Sequence, residues 1–192
     1  MATVQDITDL YGRIKRLHAR LADTSRDGFE WKVEVGEIIH SYHVSAMKSP
    51  KEIEDDIAAL AVWLWSMKDH FQALLGSDGK DTKQVGLFVD TQSSLKLCSD
   101  IANSAKHLHL SHSRSGLFAR AGKLQWSIPQ TAVGSLVIGA TSIQIDLSDP
   151  ASVVVEMPIL DRKGNVVGEG IAVCREATEA WERFAEGCEI VF

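Results

Sequence analysis

The chain has 192 residues, 45% of them hydrophobic and 24% charged, with a formal net charge of −6. That length buries a sizeable core without disulfide staples, and the composition is that of a globular protein. No apolar run reaches membrane-spanning length, which excludes a transmembrane segment, and the negative balance opposes a nucleic-acid partner for the chain as a whole.

The first residues, MATVQDITDLYGRIK, carry early acids and no apolar signal core. Secretion is therefore not expected. Cys98, Cys174 and Cys188 are odd in number and widely spaced. This favours a reducing, cytoplasmic setting over a disulfide framework or zinc knuckle.

Ile7, Leu10, Tyr11, Ile14, Leu17 and Leu21 recur at helical steps, so Val4 to Leu21 is expected as a first helix. Phe29 to Met47 is ambiguous. Trp31, Val33 and Val35 alternate as in a strand, whereas Ile38, Ile39, Tyr42 and Met47 fit a helix. The expectation is an irregular entry and a helix from about Val33 to Met47, on which His40 and His43 share a face. Ser49-Pro50-Lys51-Glu52 is an N-cap, a proline at the first helical position and a capping-box glutamate. The helix that follows has the stripe Ile53, Ile57, Leu60, Leu64, Met67, Phe71, Leu74 and stops at Gly76. It carries Ala58, Val62 and Trp65 on its back, with Asp69 one turn beyond Trp65, so it is central or half of an interface.

Asp90 or Thr91 can cap a further helix running to about Ser111, and 112–122 (HSRSGLFARAG) reads as a linker. Beyond it come short alternating runs at Leu124 to Ile128, Ser135 to Ile138, Ile143 to Leu147 and Val153 to Ile159. A turn at Asp161 to Asn165 then leads into Val166 to Val173. These predict an antiparallel sheet. A last helix from Glu176 to Glu186 carries Ala177, Ala180, Trp181 and Phe184 and ends at Gly187. Trp126 and Trp181 read as core anchors between sheet and helix. The glycine-rich run 164–170 opens no helix on this reading, so it lacks the context of a phosphate loop. The fold class is thus α+β: an N-terminal bundle of about four helices over 1–113, then a small antiparallel sheet and C-terminal helix over 123–192, packed as one unit.

From Ile101 to Ile145 there is no Asp or Glu, while Lys106, Arg114, Arg120, Lys123, His107, His109 and His112 fall in the same stretch. Such asymmetry points to an anion-binding patch, although a solvated loop and sheet lacking acids give the same pattern. Lys96, Asp100, Asn103 and His107 line up on one side of the helix KLCSDIANSAKHLHL, opposite Leu97, Cys98, Ile101, Ala105 and Leu108. Any surface helix has a polar face. Here Asp and Asn are modest helix formers, and His suits acid–base chemistry near neutral pH. Asp69 is placed to orient His107 or pair with Lys106. His40 and His43 lack a third ligand by spacing, so no metal or cofactor is assigned.

The helices WLWSMKD and DIANSAKHLHL resemble a pattern seen in uncharacterised bacterial helical proteins. More distantly, they are similar to the HEPN superfamily of small four-helix domains, many of them dimeric ribonucleases of toxin and antiviral systems. The resemblance covers Ile53 to Leu110. It places Asn103 at the motif's polar residue and His107 at its histidine, and the motif's arginine has no counterpart, its place falling near Ala102. It implies metal-independent RNA cleavage with His107 as general acid or base, charge stabilisation by Lys106 or Arg114, and a homodimer. The rival reading is a non-catalytic dimeric interaction or ligand-binding module. The expected catalytic residues on the first reading are His107, Asn103 and Asp69; Lys96, Lys106, Arg114, Arg120 and Lys123 are expected to bind an anion such as RNA, and no membrane partner is expected.

Overall fold

A computed structural model describes residues 3–106 and 110–192. Helix α1 (Val4–Ala22) starts at Thr3, whose hydroxyl accepts from the Asp6 amide while the Asp6 carboxylate accepts from the Thr3 amide. Ile7, Leu10, Tyr11, Ile14 and Leu21 form its buried stripe. Helix α2 (Pro50–Ser77) starts with the expected capping box of Ser49 and Glu52 and buries the expected stripe. Two capped starts and two apolar stripes are local signals, so both helices follow from the sequence.

Between them the expectation of a helix over Val33 to Met47 is overturned. Strand β1 (Gly28–Val35) pairs antiparallel with β2 (Ile38–Ser45), from Gly28 opposite Ser45 to Val35 opposite Ile38. The turn is made by Gly36 at φ +63°, a conformation glycine adopts without Cβ strain. On a strand, successive side chains point to opposite faces, so His40 and His43 are on opposite sides of the sheet and cannot share a metal. Among the described residues no group of three or more His, Cys, Asp or Glu is placed to hold one.

Helix α3 (Lys83–Thr91), for which the sequence reading has no helix, buries Val85 and Val89. Helix α4 (Ser93–Lys106) follows after a break at Gln92. The expected continuation through His107 and Leu108 lies outside the described residues, and Ser111 is no longer helical.

The C-terminal strands are β3 (Arg120–Ala121), β4 (Gln125–Ser127), β5 (Val133–Ile138), β6 (Ser142–Leu147), β7 (Val154–Glu156), β8 (Pro158–Leu160) and β9 (Val166–Glu169). They are not one small antiparallel sheet. β3, β8 and β9 form one sheet and β4 with β7 a second. β5 and β6 join the N-terminal hairpin in a four-stranded sheet ordered β1-β2-β6-β5. In it β2 and β6 run parallel, Tyr42 beside Ile143 and Val44 beside Ile145. This long-range pairing explains the wrong helix: a hairpin with one face to bury takes the period of the sheet it joins.

Helix α5 (Gly170–Gly187) starts six residues before the expected Glu176. The run 164–170 therefore does open a helix, contrary to the sequence reading. It still holds no phosphate loop, because the Glu169 carboxylate accepts from the amides of Ile171 and Ala172 and fills the helix N-terminus itself. α5 packs on α2 and α4, so the bundle of α1, α2, α4 and α5 is completed from the C-terminal end of the chain. Trp181 is fully buried there, its indole N–H donating to the Leu64 carbonyl at 2.8 Å and its ring stacked on Phe71. Cys98, Cys174 and Cys188 are free thiols. No helix among the described residues is long and apolar enough to cross a membrane.

Candidate functional site

The polar face of α4 is not the open surface expected of it. Asp100 is fully buried, because the segment 113–119 folds back over it. Its Oδ2 accepts from Ser113 Oγ at 2.6 Å, from Ser115 Oγ and from the Ala119 amide at 3.1 Å, and its Oδ1 accepts from the Arg114 amide at 2.9 Å. Ser113 and Ser115 hydroxyls accept in turn from the amides of Phe118 and Leu117. The stretch read as a linker is a loop wrapped round one carboxylate. Asp100 is a structural anchor, and only Lys96 and Asn103, both half-buried, remain of the described polar face.

The other expected site residues scatter. Asp69 is exposed and pairs with its neighbour Lys68 at 3.3 Å. It lies eleven residues along α2 from Ala58, which shares a groove with Ser104 and Ala105 of α4. That separation is about 16 Å of helix, so Asp69 is not at the level of Lys106. His107, expected to carry the acid–base role, lies outside the described residues. Arg114 is committed to the fold, its guanidinium 2.9 Å from Asp90 and 5.5 Å from the centre of the Trp65 ring. Lys106 is exposed at the end of α4.

Arg120 and Lys123 do come together. With Lys51 they line a groove of about 910 Å³ between the start of α2, the end of α4 and β3. Glu54 and Asp55 face it as well, and Lys51 is held by Asp55 at 2.8 Å. The free positive charge is thus that of Arg120 and Lys123 set against Glu54. Close approach of the Arg120 to Lys123 segment to β8 requires Gly122, where a Cβ would stand 2.8 Å from the Pro158 carbonyl.

Lys51 also lines an adjoining cavity of about 500 Å³ with Phe29, Glu30, Trp31, Ser49, Pro50, Leu124 and Trp126. Its wall is a run of aromatic rings. Phe29 stacks on Trp126 at 4.7 Å and Trp31 on Tyr42 at 5.0 Å, with Trp31 and Trp126 5.7 Å apart. Trp126, expected as a core anchor, is only half-buried and belongs to this surface cluster. The cluster escaped sequence reasoning because Phe29 and Trp31 meet Trp126 only through the tertiary fold. Their alternation on FEWKVEV was the one available signal.

Compared with models of known protein families, with curated proteins and with solved structures, the chain shows no match, so its chemistry rests on its own residues.

Proposed function

We propose that this protein is RNA-directed and binds a short single strand in the trough formed by the groove and the aromatic cavity, which meet at Lys51. The observation that carries the reading is the pairing of a ring cluster, Trp31 exposed and Phe29 and Trp126 half-buried, with two cations along one surface. Sequence-tolerant single-strand binding combines a cationic track with side chains on which bases stack. Glu54 and Asp55 limit the cationic part to a few phosphates, which disfavours a long duplex. Ser104 and Ala105 bring the end of α4 to the rim of the same groove. On the catalytic form of this reading His107, which follows Lys106 in the chain, supplies a general acid or base.

Fluorescence anisotropy with labelled oligouridylate tests binding. Neutralising two phosphates gives a salt slope of about −1.4, and Arg120→Ala with Lys123→Ala removes most of it. Trp31→Ala is expected to weaken binding roughly tenfold to a hundredfold through loss of one stacked base. Binding indifferent to both changes sinks the reading. A ribonuclease assay then separates binder from enzyme: cleavage abolished in His107→Ala supports catalysis, while no cleavage by the native chain leaves a binding protein.

A further inference from the structure

The register of the four-stranded sheet sorts its side chains into two unlike faces. Residues paired across strands share a face. One face carries Glu30, Lys32, Glu34, Ser41, His43, Ser135, Ser142, Gln144 and Asp146 with only Ile39 and Val137 apolar. The opposite face runs from Phe29, Trp31, Val33 and Val35 through Val44 and Ile145 to Leu136 and Ile138. It holds no Asp, Glu, Lys or Arg, and His40 and Tyr42 are its only titratable groups. The body covers only one end of this face: Val44 and Leu147 are buried, and Phe29 and Ile145 pack against the core.

The other end stands clear. Because β2 and β6 are parallel, both hairpin turns project at that end, and the apolar face continues to their tips. Trp31 is 36% exposed, Val33 41%, Val35 60%, Ile38 51%, Leu136 55% and Ile138 70%. Together these six residues leave on the order of 600 Å² in water, the upper limit of what a lone soluble protein carries as one patch. Isolated surface valines are ordinary; a contiguous apolar sheet face is not.

We propose that this face docks on the same face of a second copy of the chain, forming a two-sheet sandwich across a two-fold axis. The occupant has to be flat, several strands wide and uncharged at its centre, and among the described residues this molecule carries one such surface. Two copies would bury about 1,200 Å² in all, which reaches the lower bound for a specific, stable interface. Stacked sheets meet with strands within about 30° of each other and about 10 Å apart, a geometry a twisted four-stranded sheet satisfies with its own copy. The absence of charge matches the composition of interface cores. The proposal rests on the sheet face and not on RNA binding, but the two surfaces share Trp31, so a dimer and a bound strand would compete for that ring, whereas Val35 and Ile138 belong to the sheet face alone.

Sedimentation velocity over a concentration series tests it. The native chain is expected to be a dimer with a dissociation constant in the micromolar range. Val35→Glu with Ile138→Glu should leave a monomer at about 100 µM, a loss of at least a hundredfold, with the melting temperature unchanged when compared well below the native dissociation constant, where both chains are monomers and both positions are exposed. Val35→Thr with Ile138→Thr, which keeps β-branching, should weaken association at least tenfold and covers the case in which the glutamates hinder folding. Ile39→Glu with Val137→Glu, on the opposite face, should leave the dimer intact. A native chain monomeric at about 100 µM overturns the proposal, as does a dimer lost with the second pair and kept with the first. A monomeric native chain that sediments with phosphatidylcholine vesicles also overturns it and reassigns the face to lipid.

Discussion

Asp100→Ala is expected to lower the unfolding free energy by about 4 kcal/mol and to expose the Arg114 peptide bond to trypsin. The carboxylate is fully buried and takes four hydrogen bonds, two from hydroxyls and two from backbone amides. Removing it leaves those donors facing methyl groups, and each buried unsatisfied donor costs roughly 1–3 kcal/mol. The serines can turn their hydroxyls to water, but the Ala119 amide is in a fully buried residue and has no such escape. Asp100→Asn discriminates further. An amide oxygen in the place of Oδ2 keeps three of the four donors, while its NH2 group meets the Arg114 amide donor to donor. About half the alanine penalty is expected, read by urea denaturation. Equal stability of the Asp100→Asn variant and the native chain would show that the loop is held by something other than this acceptor.

The second large effect concerns Lys48 and Asp56. Lys48 follows the β1–β2 hairpin and Asp56 lies on the second turn of α2, and both are almost fully buried. The Lys48 ammonium donates to Asp56 Oδ2 at 3.1 Å and to the Arg20 carbonyl at the end of α1, and the Arg20 guanidinium donates to Asp56 Oδ1. This cluster ties the end of α1 to the start of α2 at the point where the hairpin leaves the bundle. Asp56→Ala strands the buried ammonium and is expected to cost about 3–5 kcal/mol. Asp56→Leu combined with Lys48→Met removes both charges, and Arg20, more than half exposed, can turn to water. The double variant should recover most of the loss, because the desolvation penalty disappears with the attraction.

The same pair has a pH signature. Burial pushes the Asp56 carboxyl up, but the hydrogen bonds and charges of Arg20 and Lys48 outweigh it and hold the carboxyl below its ordinary value. A carboxyl depressed in the folded state stabilises above its unfolded pKa of about 3.9, and that contribution drains away as the pH falls through the folded value. Thermal melts at pH 7 and at about pH 3 should therefore show a smaller gap between native and Asp56→Ala chains at the lower pH. A gap of equal size would mean that Asp56 contributes through packing alone.

The elements that the residues specify on their own are those whose signals are local. α1 and α2 carry capping boxes and unbroken stripes, and the turn at Asp161–Asn165 is closed by Asp161 accepting from the Lys163 and Asn165 amides. A cap or a turn is satisfied within a few residues, so no distant partner can overrule it. The α+β class was legible from helical stripes followed by short alternating runs; Trp181 was expected in the core, but its place is against Leu64 and Phe71 of α2 and not between sheet and helix.

The start of α5 at Gly170 is also local, because the Glu169 carboxylate caps the amides of Ile171 and Ala172, but strand periodicity through Val173 hid it. Two matters were decided by residues far apart in the chain. Residues 28–45 became a hairpin because β6, about a hundred positions on, offered an edge. Asp100 passed from a solvent-facing site to a buried anchor because 113–119 closed over it. Periodicity reports which sides of an element differ in polarity. It does not report what the rest of the chain lays against the polar side, and hydrogen bonds from a folded-back loop satisfy a carboxylate as fully as water does. The trough of Trp31, Trp126, Arg120 and Lys123 and the bare apolar face of the sheet belong to the same category, since each exists only where separate strands meet.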